Sequence, residues 1–290
     1  MQKLDFAIVG CGRLGTNLGI QLKAAGHSPI GLSARNIKSI QESNKLIKAK
    51  IVDTYPWKVT KNADIIFITT PDDAIEQTCK EIIYNNGLRQ SAFVYHCSGS
   101  LSSKSLVSAI QSGHYVGSFH PLQSFPVKYL QPNPFENIYI SVEGDKPAIE
   151  LGKSIAFDLK AKITEISTDG KSLYHAAAVV ASNYLVTLLE LAKQLNINAG
   201  ISDNISLEVL KPLIHGTLNN IEKQGVTNAL TGPISRGDER TIQNHVRNIA
   251  QVLPDYSNLY NILGHYTISI AQSQQQISNE QSLKLKEILS

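Results

Sequence analysis

The loop Gly10-Cys11-Gly12-Arg13-Leu14-Gly15 limits the folding options of this chain more than any other stretch. It sits directly behind a short apolar run, Phe6 to Val9, that reads as a strand buried on both faces. Behind the loop, Leu14, Leu18, Leu22 and Ala25 recur at helical spacing until Gly26 stops the pattern. Strand, glycine loop and helix in that order form the phosphate-cradling turn of a dinucleotide-binding sheet. Gly10 permits the tight turn, Gly12 lets backbone N–H groups approach a pyrophosphate, and Gly15 lets the helix pack close to the strand. The helix N-terminus, with Cys11, Arg13 and Leu14 around it, adds oriented donors and partial positive charge.

The rest of the first half keeps alternating. Strands are predicted at 28–33, 63–70 and 92–96, with shorter ones at 115–119, 138–142 and 163–166 and a helix over 147–159. Alternation of this kind implies parallel strands joined by helical crossovers. After about Thr168 only helical periodicity remains, over 171–195, 206–224, 241–253, 255–275 and 279–289. The expectation is an α/β fold: a Rossmann-like, doubly wound dinucleotide-binding domain over 1–167, then an all-helical domain over 168–290. A length of 290 residues suits two such domains.

Composition removes other classes. The net charge of +3 is too small for a nucleic-acid binder. Cys11, Cys79 and Cys97 are odd in number and far apart, so neither a disulfide framework nor a zinc knuckle is implied, and the histidines show no metal-binding spacing. No uninterrupted run of ~18 apolar residues occurs, and a cytoplasmic, reduced protein with no membrane partner is expected.

Which dinucleotide is expected follows from a missing charge. An NAD site usually carries a carboxylate ~20 residues past the loop, for the ribose 2′-hydroxyl. Between Gly15 and Glu42 there is no acidic residue, and the second strand ends Ser33-Ala34-Arg35-Asn36. A guanidinium pairs with a 2′-phosphate where a carboxylate would repel it. The predicted cofactor is NADP(H), held by Ser33 and Arg35; a merely solvated Arg35 is the other reading. Later strand ends should complete the crevice: Thr69, Thr70 and Pro71 after one, His96, Ser98 and Gly99 after the next. Asp72 and Asp73 are expected to start a helix.

Candidate chemistry lies at 171–183, where Lys171, His175 and Ser182 fall within about 40° of one another at ~100° per residue, with Asn183 beside them. Two cations one turn apart lower each other's proton affinity, which suits Lys171 or His175 to general-acid work and to a carboxylate substrate. The alternative is a solvated lysine beside a core histidine. His120, fixed in extended backbone by Pro121, lines a pocket or serves the core. Arg236 could bind a substrate carboxylate, as Ser98 and Ser182 could orient it, or could pair with Asp238.

Taken together, the glycine loop, His96-Cys-Ser-Gly99, Phe119-His-Pro-Leu-Gln-Ser-Phe125, 171–183 and Leu230-Thr-Gly-Pro-Ile-Ser-Arg-Gly-Asp238 resemble one family. It comprises Rossmann-like NADP oxidoreductases with a helical C-terminal domain of unknown function. Some members look like ketopantoate reductases, so the resemblance implies reduction of 2-dehydropantoate to pantoate for pantothenate biosynthesis, and a homodimer formed through the helical domain. In β-hydroxyacid and ordinary ketopantoate enzymes a lysine and an asparagine one turn later serve catalysis. Lys171 matches the lysine, but His175 stands at the asparagine position and Asn183 comes two turns further on. The proton donor is therefore ranked Lys171, then His175, then His120. Competing readings are another β-hydroxyacid, imine or prephenate-like dehydrogenase of the same superfamily, and a non-catalytic NADP(H)-binding sensor or scaffold.

Overall fold

The computed structural model describes residues 3–290, which divide into two compact units, one ending at Val179 and the other Val180–Ser290. In the first, β1 (Asp5–Val9), α1 (Arg13–Ala24), β2 (Ser28–Ser33), α2 (Ile37–Ile47), β3 (Ile51–Asp53), α3 (Pro56–Thr60) and β4 (Ile65–Ile68) lead to the middle of a sheet. It continues through α4 (Asp72–Tyr84), β5 (Phe93–His96), α5 (Val107–Gln111), β6 (Tyr115–Pro121), β7 (Tyr139–Gly144), α6 (Lys146–Asp158) and β8 (Lys162–Glu165), and ends with α7 (Lys171–Val179). The eight strands lie in the order β3-β2-β1-β4-β5-β6-β7-β8.

Continuous apolar strands are explained by what each face meets. Phe6 and Ile8 pack with Leu18 and Leu22 of α1, while Ala7 and Val9 face the opposite core with Ile66, Ile68 and Ile75. Because neighbouring side chains on a strand point to opposite faces, both must be apolar when both faces are covered. The order reverses between β1 and β4, so the glycine loop lies at the switch point where open α/β sheets bind ligands.

Two features depart from the sequence reading. β3 was not anticipated: a three-residue edge strand with Ile51 and Val52 exposed has too little pattern to detect. β7 runs antiparallel to β6, not parallel. A parallel return needs a crossover, and residues 122–138 carry Pro126, Pro132 and Pro134, which forbid a long helix there. The segment instead loops back as a strap over α1: Asn17 Nδ2 donates to the Val127 carbonyl at 2.9 Å, and the Leu130 amide donates to Asn17 Oδ1 at 2.9 Å.

The second unit opens on a π-helical turn, Val180–Tyr184, followed by α8 (Leu185–Asn198), α9 (Lys211–Asn228), α10 (Glu239–Val252), α11 (Pro254–Ser273) and α12 (Asn279–Ile288). Ile242, Ile268, Ala271, Leu285 and Leu289 form its small core. α9 begins later than residue 206 because Pro212, which lacks an N–H, fits only the first helical turn. The boundary at Val179 also lies beyond the expected 167, because α7 begins on the sheet. Within the helical stretch Thr168–Asn198 an 18-residue window has mean hydropathy 1.3, long and apolar enough to span a membrane by length and composition.

Candidate active site

The cradle is built as the glycine spacing demands. Gly10 has φ +120°, and a side chain there would strike the Thr69–Thr70 backbone. A Cβ on Gly15 would lie 2.1 Å from the Gly10 carbonyl, so only glycine lets α1 approach the loop. Gly12 differs. A Cβ there meets nothing within 4 Å, so its bare backbone borders open space. α1 has no side-chain cap and no acidic residue in its first turn. Thr69 Oγ1 donates to the Gly10 carbonyl at 2.7 Å, while the buried Thr70 Oγ1 beside it has no protein partner. Open backbone, uncapped helix dipole and a spare hydroxyl fit a pyrophosphate.

Several residues of the expected set turn inward. Ser33 is 1% exposed; its carbonyl accepts from the Gly10 amide at 2.7 Å and from the Cys11 thiol at 3.5 Å. Burial pushes the Cys11 thiol up to about 11. Arg35, Arg13 and Pro71 are exposed and Leu14 is half-buried. His96 is fully buried and braces the next loop from below, its Nδ1 accepting from the Ser98 amide at 3.2 Å. Ser98 is committed as well. Its Oγ donates to Asp72 Oδ2 at 2.8 Å and accepts from the amides of Ser100 and Leu101, leaving little for a substrate. Asp72 does start α4, as expected of a carboxylate at a helix N-terminus.

Beside this loop, α7 brings ionisable side chains onto the carboxyl end of β6. Lys171 is 2% exposed, and its Nζ donates to Ser118 Oγ at 2.5 Å. Ser118 in turn donates to the Ser98 carbonyl at 3.4 Å. Burial lowers the Lys171 ammonium to about 8, against the pull of the Glu143 carboxylate. The depression thus comes from desolvation rather than from His175, as the one-turn spacing had suggested. Glu143, also buried, accepts from the Ser103 amide (2.6 Å), Ser103 Oγ (2.8 Å) and Thr168 Oγ1 (3.0 Å).

Over this floor lie two imidazoles and a phenol. His120 Nδ1 shares a hydrogen bond with the Tyr174 hydroxyl at 3.2 Å, and the His120 and His175 rings stand 6.4 Å apart. A Cβ on Gly99 would fall 2.5 Å from His175 and 2.8 Å from His120, so both rings close on that glycine. Burial, helped by the Lys171 and His175 charges, lowers His120 to about 4 and keeps it neutral at pH 7. Its proline-fixed direction therefore serves orientation more than acid catalysis.

Lys171, His175 and His120 thus converge. Ser182 and Asn183 belong to the π turn that opens the second unit, and both are exposed. Their placement on the Lys171 face assumed unbroken α-helical phase, which a π turn does not keep. Arg236 is exposed within the second unit. Asp238 caps α10, accepting from the Thr241 amide at 3.0 Å and Thr241 Oγ1 at 2.7 Å, rather than forming the salt bridge that was the alternative role for Arg236. Sequence reasoning missed Tyr174, Ser118 and Glu143. Helical spacing on 171–183 could have flagged Tyr174, but the other two depend on strand pairing, which places Ser118 opposite Glu143.

A Rossmann-like domain model matches residues 1–121, and the model of a domain of unknown function, DUF2520, matches residues 138–267. No curated protein matches the chain. Among solved structures, it is similar to a candidate NADP oxidoreductase from Bacteroides fragilis (26% identity, 93% of this chain and 98% of that one, TM-score 0.75). A protein from Thermotoga maritima shares 28% identity over 93% of this chain and 99% of its own, with TM-score 0.73. Pyrroline carboxylate reductase from Plasmodium falciparum, solved with NADP bound, shares the fold at 13% identity, full coverage of both chains and TM-score 0.61. Its two parts are thus matched in order, a Rossmann-like domain followed by a DUF2520 domain.

Proposed function

We propose that this chain is an NADPH-dependent reductase of a small 2-oxo acid, with 2-dehydropantoate, reduced to pantoate, as the first substrate to test. The observation that carries the reading is the buried Lys171 ammonium beneath Tyr174, His120 and His175, at the carboxyl end of the parallel strands, where β1 also runs into the open glycine cradle. Gly12, the α1 N-terminus and Thr70 would hold the pyrophosphate, and Arg35 the 2′-phosphate. NADPH supplies the hydride for the keto carbon. The protein must bind the acid and give the new alkoxide its proton. Lys171, protonated at pH 7 and poorly solvated, stabilises negative charge on that oxygen and donates the proton. Ser118 fixes the ammonium, and the Tyr174–His120 pair with His175 positions the substrate.

The same reading includes a cytoplasmic homodimer. Val180, Tyr184 and Val186 are 57%, 58% and 68% exposed on an apolar helical stretch, and a second copy would cover them.

The test is NADPH oxidation with a panel of 2-dehydropantoate, simpler 2-oxo acids, a cyclic imine, a semialdehyde and a prephenate-like acid. Turnover of 2-dehydropantoate, lost in Lys171→Ala with NADPH still bound, is the expected result. Preference for the imine or the prephenate-like acid would move the protein to another reductase of the superfamily. Tight NADPH binding with no turnover of any compound would make it a cofactor sensor.

A further inference from the structure

Lys128 reaches the nucleotide end of the fold from a part of the sequence distant from the glycine loop. It lies on the strap between β6 and β7 that Asn17 ties to α1. Its Nζ donates to Ser39 Oγ at 2.8 Å, and Ser39 Oγ donates to the Cys11 carbonyl at 3.0 Å, so the ammonium lies beside the glycine loop. Ser39 belongs to the first turn of α2, just past Arg35 and the capping Asn36, whose side chain accepts from the Lys38 amide. Lys128 and Arg35 therefore flank the turn after β2, where the adenosine ribose sits in this fold.

The electrostatics there are unbalanced. Ser33 is nearly buried and uncharged, which leaves Arg35 as the expected cation for a phosphate carrying nearly two charges. Lys128 meets one carboxylate, Glu42, at 3.1 Å, and that carboxylate is 64% exposed. A solvated ion pair of this kind holds a lysine loosely, so a phosphate dianion can take the ammonium over.

Resting on the proposed NADP(H) reading, we propose that Lys128 is the second cation of the 2′-phosphate subsite and a determinant of NADPH-over-NADH specificity. Glu42 holds the ammonium in place until the phosphate arrives. Because Lys128 sits on the strap, the phosphate also fastens the strap across α1 and α2, a link that NADH cannot make.

The experiment is equilibrium binding of NADPH and of NADH, followed by nicotinamide fluorescence, on the full chain and three variants. Lys128→Ala should weaken NADPH by about tenfold, leave NADH within about twofold, and flatten the salt dependence of NADPH binding. Lys128→Arg should keep most of the preference. Glu42→Gln, an exposed change that releases the ammonium, should tighten NADPH by about twofold or more. Equal loss of both nucleotides in Lys128→Ala, or an undiminished preference, would overturn the assignment. If the unmodified protein itself binds NADH as well as NADPH, the NADP(H) reading fails first, which separates the two failures.

Discussion

Lys171 shows how one side chain acquires a function from its surroundings. A lysine on an exposed helix titrates near 10.4. Here the first turn of α7 presses it against β6, and desolvation brings it down to about 8. An acid with that value is charged at pH 7 and empties as the pH rises through 8. The rate of ketone reduction is therefore expected to fall above pH 8, measured as a kcat profile with NADPH saturating. Lys171→Met should cut turnover by roughly a hundredfold or more and abolish that limb, while NADPH affinity stays within about twofold. A limb that survives the substitution would assign the titration to another group. The stability sign is opposite for this group. Between about 8 and the unfolded value the unfolded chain binds more protons, so the intact protein gains stability as the pH rises across that window.

At the scale of the element, the strand–loop–helix unit separates what glycine does for folding from what it does for binding. Gly15→Ala would put a methyl into the Gly10 carbonyl and should destabilise the fold by about 1–3 kcal/mol through overpacking. Gly12→Ala meets no protein atom and has ordinary extended backbone, with φ −79°. Its midpoint in urea should match the parent, while NADPH binding weakens by roughly tenfold or more because the methyl occupies the phosphate's approach. Paired unfolding and binding curves check both halves. A folded, tight-binding Gly12→Ala variant would mean that the cradle's open face is not where the dinucleotide lies. The β6–β7 strap is the complementary lesson. Its prolines forbid the crossover helix that alternation implied, and the loop that results carries Lys128 to the nucleotide end.

For the whole molecule, the second unit has a small core for its length and leaves large apolar side chains in solvent, among them Val186, Leu213 and Tyr266. Light scattering on the eluting protein should therefore give about twice 31.7 kDa, and Val186→Glu should return it to the single-chain mass. A monomeric parent would remove the second copy from the reading. The sequence alone determined the α/β class, the order of sheet then helices, and the cradle, because these depend on period, glycine spacing and chain order, all local quantities. It also nominated Lys171, His175 and His120, since polar groups interrupting apolar stretches are visible without coordinates. Only tertiary structure buried Ser33 and His96, committed Ser98 to Asp72, and seated Lys171 on Ser118. It alone added Tyr174, Glu143 and Lys128. Those outcomes depend on strand neighbours and on a returning loop, contacts between residues far apart in the chain, and burial then decides which proton each group keeps.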